Sequence, residues 1–148
     1  MDLVEGEPRH GERASVGRSD AVLRLAVAGV AWLFVGCVVV QFFLVGLRMF
    51  AEGPLVSTLH RDFAYLYGWL TPILVLLAAS PAGSARAVRL AIALLVLFAI
   101  QTFLPLLAHL APPVAALHAA NALVVAWLAL RLAQASRQPP DPIGTPRR

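Results

Sequence analysis

Two glutamine–histidine pairs are the residues of this chain best suited to chemistry. Gln41 and Gln101 lie in long apolar stretches, and His60 and His118, each preceded by leucine, follow them after 19 and 17 positions. Glutamine and histidine are rare inside membrane-spanning segments, where polar side chains often mark functional sites. A neutral imidazole is also a good axial ligand for heme iron. The pattern therefore predicts a site in which two histidines hold heme b.

A heme site needs an apolar slot between helices and polar groups that orient the ligating imidazoles. We predict that His60 and His118 are the axial ligands and therefore the iron-binding residues. The polar side chains predicted to surround them are Gln41, Gln101, Asn121 and Tyr67. Arg48 and Arg61 fall near the same helix ends and could pair with the heme propionates. Such a module would serve electron transfer or sensing.

Other roles for these histidines stay open. Each imidazole could instead hold two helices together, as expected of a non-catalytic accessory protein that assembles with itself or with other membrane proteins. His109 could supply a third ligand for zinc or copper, since imidazole suits both metals. Paired hairpins could also line a permeation path. We interpret Asp62, beside Arg61, as half of a solvated ion pair.

The composition assigns the chain to the membrane. Hydrophobic residues make up 59% of it and charged residues 14%, whereas about a quarter of a soluble domain is charged. All twelve basic residues are arginine, so motifs that require lysine are excluded, and we expect no enzymatic activity. The arginines flank apolar segments instead of forming a basic stripe, which argues against nucleic-acid binding. Cys37 has no partner for an intrachain disulfide.

Four apolar stretches predict an all-α fold, an integral membrane four-helix bundle. The predicted helices cover about 25–47, 60–79, 90–108 and 114–130, close to the roughly 20 residues that a crossing requires. Only helices satisfy their own backbone groups in lipid, because no water is available there. The membrane domain 23–132 is flanked by polar tails, 1–22 and 133–148, which we predict to be disordered.

The arginines also predict the orientation. Ten of the twelve lie in the two tails, at the helix ends next to them (Arg24 and Arg131) or in the turn between the second and third helices, and the other two are Arg48 and Arg61. Loops rich in arginine stay in the cytoplasm. We therefore predict a multi-pass protein of the plasma membrane with both termini in the cytoplasm.

The two halves of the chain resemble each other. Residues 41–47 and 101–107 share four of seven positions, and each segment precedes a Leu-His pair. The pattern predicts two similar hairpins that run in the same direction and are related by an axis along the membrane normal. His60 and His118 would then face each other diagonally across the bundle.

Three short motifs carry a family resemblance: QFFLVGL at 41–47, LHR at 59–61 and LHAANAL at 117–123. With Tyr65 and Gly68, they resemble a family of small four-helix bacterial membrane proteins that is known only as a domain of unknown function. The resemblance covers about 25–132 and implies the four-helix membrane fold without an activity.

A more distant likeness is to one half of heme A synthase, in which histidines at helix starts hold heme on the outer side. It implies that His60 and His118 occupy matching places, and Gln41 and Gly46 resemble the helix ending of that enzyme. This chain has half the helices and no cysteine pair in an outer loop. The likeness therefore implies heme b binding, without heme A synthesis.

Overall fold

The computed structural model describes residues 10–51, 54–81 and 83–137, with side chains from Arg18 onward. All regular structure in these residues is helical, which confirms the predicted all-α bundle. The elements are α1 (His10–Phe50), α2 (Pro54–Gly68), α3 (Leu70–Ala78), α4 (Ala85–Phe103), a short 3-10 helix (Leu104–Leu107) and α5 (Pro112–Ala135). Because α2 and α3 are separated only by Trp69, the bundle has four helical rods.

The four rods form a closed ring. The first rod, α1, packs against the α2–α3 rod on one side and against α5 on the other, while α4 joins α3 to α5. Rods one and three are therefore diagonal to each other, and so are rods two and four. This is the arrangement that two hairpins related by a two-fold axis would adopt.

Several helices begin earlier than their apolar stretches predict. Helix α1 starts at His10, inside the stretch 1–22 for which we predicted a disordered tail, while residues 1–9 and 138–148 lie outside the described part of the chain. Helices α2 and α5 begin at Pro54 and Pro112, because proline suits the first turn of a helix, where its missing N–H is not needed. His60 and His118 accordingly lie six residues inside their helices instead of opening them.

The second rod is interrupted between Gly68 and Leu70, just before Pro72. Proline has no N–H for the carbonyl four residues earlier, which belongs to Gly68. The Thr71 hydroxyl donates to that carbonyl at 2.8 Å and replaces the lost bond. Glycine is needed at position 68 because a Cβ atom there would lie 2.6 Å from Cε1 of Phe98.

The turn between α3 and α4 is tight. Its Gly83 N–H donates to the Ser80 carbonyl at 2.8 Å, and a Cβ on Gly83 would lie 1.8 Å from the Ala78 carbonyl oxygen. The Ser84 hydroxyl then caps α4 by accepting from the Ala87 N–H at 3.1 Å. The sequence predicted this turn, but α4 begins five residues before the predicted start at 90.

The outer surface of the bundle is apolar. Among the described residues, three helices are long and apolar enough to cross a membrane: 18–50, 85–107 and 112–135. Large side chains face outward on every rod, including Phe43 (65% exposed), Leu66 (70%) and Leu123 (64%). Soluble monomers rarely expose so much contiguous apolar surface, so the bundle is built for a lipid environment.

Candidate functional site

The two histidines face each other across the bundle. Their imidazole centroids are 6.5 Å apart and the ring planes meet at 69°. Both rings are half-buried, and each lies about 9 Å from the start of its helix at 1.5 Å per residue. Residues that are 58 positions apart in the chain thus lie at matching depths on diagonal rods.

Both glutamines bond to the backbone of the histidines. The Gln41 side-chain amide donates to the His60 carbonyl at 2.8 Å, and the Gln101 amide donates to the His118 carbonyl at 2.9 Å. These equivalent bonds join the two helices of each hairpin. They also leave the imidazole rings free of the glutamine side chains, which we had expected to orient them.

The His118 ring is oriented by a backbone carbonyl instead. Its Nδ1 lies 3.0 Å from the Gln101 carbonyl oxygen, and because a carbonyl only accepts, Nδ1 carries the proton. That carbonyl lacks its usual helical donor, since the residue four positions later is Pro105. In a neutral His118 ring, Nε2 therefore keeps its lone pair, as a metal ligand requires.

Asn121 completes the polar network of the second hairpin. Its side-chain amide donates to the Leu97 carbonyl at 2.9 Å and to Oε1 of Gln101 at 2.7 Å. Both polar atoms of the Gln101 amide are therefore bonded, the nitrogen to His118 and the oxygen to Asn121. The predicted contribution of Asn121 to the site is indirect, through Gln101.

The first hairpin lacks two of these bonds. Among the described residues, Nδ1 of His60 and Oε1 of Gln41 are buried without a hydrogen-bond partner. The position that matches Pro105 is Val45, which lies inside α1, where the helical ladder uses the Gln41 carbonyl. The position that matches Asn121 is Phe63, which has no donor. Two substitutions thus account for both unpaired atoms.

A cavity of about 460 Å³ surrounds the histidines, within the roughly 300–1,000 Å³ range of cofactor pockets. Its lining is two-fold related. Eight residues of the first hairpin and their eight counterparts line it: Val38/Phe98, Gln41/Gln101, Phe42/Thr102, Val45/Pro105, His60/His118, Arg61/Ala119, Ala64/Ala122 and Tyr67/Val125. The cavity therefore lies on the axis that relates the two hairpins.

Small side chains next to the histidines keep this cavity open. Ala64 and Ala122 each lie four residues after a histidine, on the same helix face. Further along the second rod, Tyr67 is buried and packs edge-on against Phe34 and Phe98, with centroid distances of 5.2 and 5.3 Å. Tyr67 therefore closes the cavity toward the bundle core.

Two cations lie at the cavity. Arg48 and Arg61 both contribute to its lining, and both are exposed. The Nε of Arg61 lies 2.9 Å from the Asp62 carboxylate, and both side chains are more than half exposed, so this pair is solvated as predicted. The cavity thus combines apolar walls with positive charge and two imidazoles.

The remaining candidate ligand is remote from this cavity. His109 is exposed, and it does not line the cavity. No group of three histidine, cysteine, aspartate or glutamate side chains in the described ranges is arranged to hold a metal ion. The structure therefore does not bring His109 together with His60 and His118.

Comparison with protein-family models, curated proteins and solved structures gives no match. The resemblance to a four-helix membrane family and the likeness to heme A synthase stay predictions. The site is accordingly interpreted from its own geometry.

Pro105 is the residue that our sequence reasoning missed. Proline frees the carbonyl four residues before it, so its spacing from Gln101 indicates an unpaired acceptor on α4. The matched spacings Pro54–His60 and Pro112–His118 would also have placed the histidines inside their helices. Both signals are spacings that can be counted in the sequence. Only the structure shows that the freed Gln101 carbonyl accepts from the His118 ring.

Proposed function

We propose that this protein is a membrane module for electron transfer or sensing, in which His60 and His118 would hold the iron of heme b. The observation that carries the proposal is the 6.5 Å separation of the two imidazole centroids across the bundle. A bond from a metal to an imidazole nitrogen is about 2 Å long, so two rings on opposite sides of one metal have centroids roughly 6 Å apart.

The number of ligands favours heme over a bare ion. Structural zinc sites in proteins almost always have four ligands, and the described residues offer only two histidines at this cavity. Heme brings four nitrogens of its own and needs one or two ligands from the protein. A site with two opposed imidazoles therefore fits an iron that already has its equatorial ligands.

The surroundings fit the rest of the cofactor. Apolar walls suit the macrocycle, and Ala64 and Ala122 keep space beside the imidazoles. Arg48 provides positive charge for the propionates at the same cavity, and Arg61 lines it as the partner of Asp62. Bound heme would supply one-electron chemistry, while the protein holds the imidazoles and excludes water.

Four crossings of the plasma membrane, with both termini in the cytoplasm, complete the proposal. Three helices have the length and composition to cross, and the joined rod 54–78 exceeds the roughly 20 residues that a crossing needs. Ten of twelve arginines lie on one predicted side. Reporter fusions at each terminus and in the turn near Ser84 should all give cytoplasmic signals.

Optical spectroscopy tests the heme site directly. The protein is expressed with added heme, purified in detergent and compared with His60→Ala, His118→Ala and the control His109→Ala. We expect a Soret band in the wild type and in the control, and a weaker or shifted band in each of the other variants. A wild type without a Soret band, or a band indifferent to both cavity histidines, would contradict the proposal.

Substitutions of the two glutamines test the structural alternative. The two glutamine side chains donate to the backbone carbonyls of His60 and His118, so both bonds remain when an imidazole is substituted. This observation favours a purely structural role for the two glutamines. An accessory protein would lose assembly in Gln41→Leu or Gln101→Leu, measured by cross-linking in membranes, and would carry no heme in any variant.

A further inference from the structure

We propose that His118 is the permanent ligand and His60 the exchangeable one, so that the site can admit a small neutral diatomic molecule such as carbon monoxide in place of His60. This inference rests on the proposed heme site. It comes from a difference between the two hairpins in the hydrogen bonds made by the imidazoles and glutamines.

His118 is held by two hydrogen bonds, one to its backbone carbonyl and one to its ring. Its backbone carbonyl accepts from Gln101 at 2.9 Å, and its Nδ1 donates to the Gln101 carbonyl at 3.0 Å. A hydrogen bond from the remote ring nitrogen fixes the tautomer, orients the ring and makes the ligating nitrogen more basic. His118 is therefore prepared to hold a metal before any metal arrives.

His60 has only the first of these two hydrogen bonds. Gln41 bonds to its backbone carbonyl at 2.8 Å, but Nδ1 of His60 has no partner among the described residues. Loss of an orienting bond of this kind costs about 10–100-fold in metal affinity. We therefore expect the bond from the iron to His60 to break first, and more often.

The difference between the two imidazoles comes from the residue four positions after each glutamine, which is Val45 in the first hairpin and Pro105 in the second. Pro105 frees the Gln101 carbonyl for His118, whereas the N–H of Val45 donates to the Gln41 carbonyl within α1. The side-chain oxygens of the two glutamines also differ, because only the one in the second hairpin has a hydrogen-bond donor. Asn121 donates to Oε1 of Gln101 at 2.7 Å, while Oε1 of Gln41 is buried without a partner among the described residues, and Phe63 stands at the position that matches Asn121.

The vacated position suits a small neutral ligand. The cavity walls are mainly apolar, and Ala64 lies one helical turn after His60. Diatomic gases dissolve in hydrocarbon, so they can enter from the bilayer, whereas ions cannot. The exchange itself would replace one neutral lone-pair donor with another on ferrous iron, so it would leave the oxidation state unchanged; the ferrous state would be supplied beforehand by a reductant such as dithionite.

Ligand exchange in the heme-loaded protein tests the inference. Heme loss to excess apomyoglobin is measured for His60→Ala and His118→Ala, and carbon monoxide binding is measured after reduction with dithionite. We expect His118→Ala to lose heme at least 10-fold faster than His60→Ala, from the range given for a lost orienting bond. Equal rates in the two variants would overturn the inference.

Substitutions at Val45 and Pro105 give a matched set of variants that tests the hydrogen-bond argument. Val45→Pro frees the Gln41 carbonyl and should slow carbon monoxide binding about 10-fold, by giving His60 the bond it lacks. Val45→Ala is the control and should leave the rate unchanged. Pro105→Val should speed heme loss by a similar factor. An unaltered rate in both Val45→Pro and Pro105→Val would refute the hydrogen-bond argument.

Nitrogen-15 spectra of the heme-free protein provide a readout that does not depend on the cofactor. We expect His118 as the Nδ1–H tautomer alone, and a mixture of tautomers for His60. One common tautomer state for both rings would overturn the inference even in a protein that binds heme. A wild type that never takes up heme would instead sink the proposed function, and this inference with it.

Discussion

The Asn121 amide offers the sharpest test of the polar network below His118. Asn121→Leu removes two donated hydrogen bonds, 2.9 Å to the Leu97 carbonyl and 2.7 Å to Oε1 of Gln101. Leucine has nearly the same size, so packing changes little. Hydrogen bonds between membrane helices contribute about 0.6 kcal/mol on average, and at most about 1.7. The expected loss in free energy of unfolding is therefore about 1–2 kcal/mol.

A double-mutant cycle isolates the bond between the two amides. Gln101→Leu is combined with Asn121→Leu, and unfolding is followed by circular dichroism in mixed micelles of increasing denaturing detergent. Because the two side chains share a direct bond, we expect a coupling energy of about 0.6–1.7 kcal/mol.

The matched control combines Asn121→Leu with Gln41→Leu, the same substitution in the other hairpin. Gln41 donates to the His60 carbonyl and makes no bond to Asn121, so its effect should add to that of Asn121→Leu within about 0.5 kcal/mol. Equal coupling in the two cycles would refute the reasoning, since it would mean that the network is not confined to one hairpin.

Three further substitutions test the packing that positions the site, each measured by the same detergent titration. Gly68→Ala places a Cβ 2.6 Å from the Phe98 ring and should destabilise by about 1–3 kcal/mol, with recovery when Phe98→Leu is added. Thr71→Val leaves the Gly68 carbonyl without a donor and should cost about 1 kcal/mol of stability. Thr102→Val should cost less, because the Ala99 carbonyl that accepts from Thr102 is also used by the backbone of the helix. Gly83→Ala meets a backbone oxygen at 1.8 Å, so a variant that keeps wild-type stability would contradict the turn geometry.

Much of the fold follows from the sequence. Apolar stretches of about 20 residues specify membrane helices, because lipid cannot satisfy backbone groups in any other open structure. The turn at Gly83 and the kink at Pro72 were also predictable. Helix starts were less predictable, because Pro54 and Pro112 can either break a helix or begin one, and composition alone does not decide between these roles.

The candidate site was predictable at the level of residue types. Two polar pairs in apolar sequence indicated four residues that line one cavity, and the spacing placed His60 and His118 at similar depths. The hydrogen-bond partners were not predictable, since an amide side chain can reach either the imidazole or the backbone of a histidine. Which one it reaches depends on distances of a few tenths of an ångström that no spacing encodes.

The difference between the hairpins gives a physical reason for joining both in one chain. In a dimer of identical hairpins, symmetry would make the two histidines equivalent, because each partner contributes the same surface. Joined in one chain, the halves can differ at single positions such as Val45 and Pro105. One half can then keep an imidazole fixed while the other leaves it free to move. We therefore expect a protein with both Val45→Pro and Phe63→Asn to hold heme more tightly than the wild type and to bind carbon monoxide more slowly, and faster binding by that variant would show that hydrogen bonding does not set the exchange.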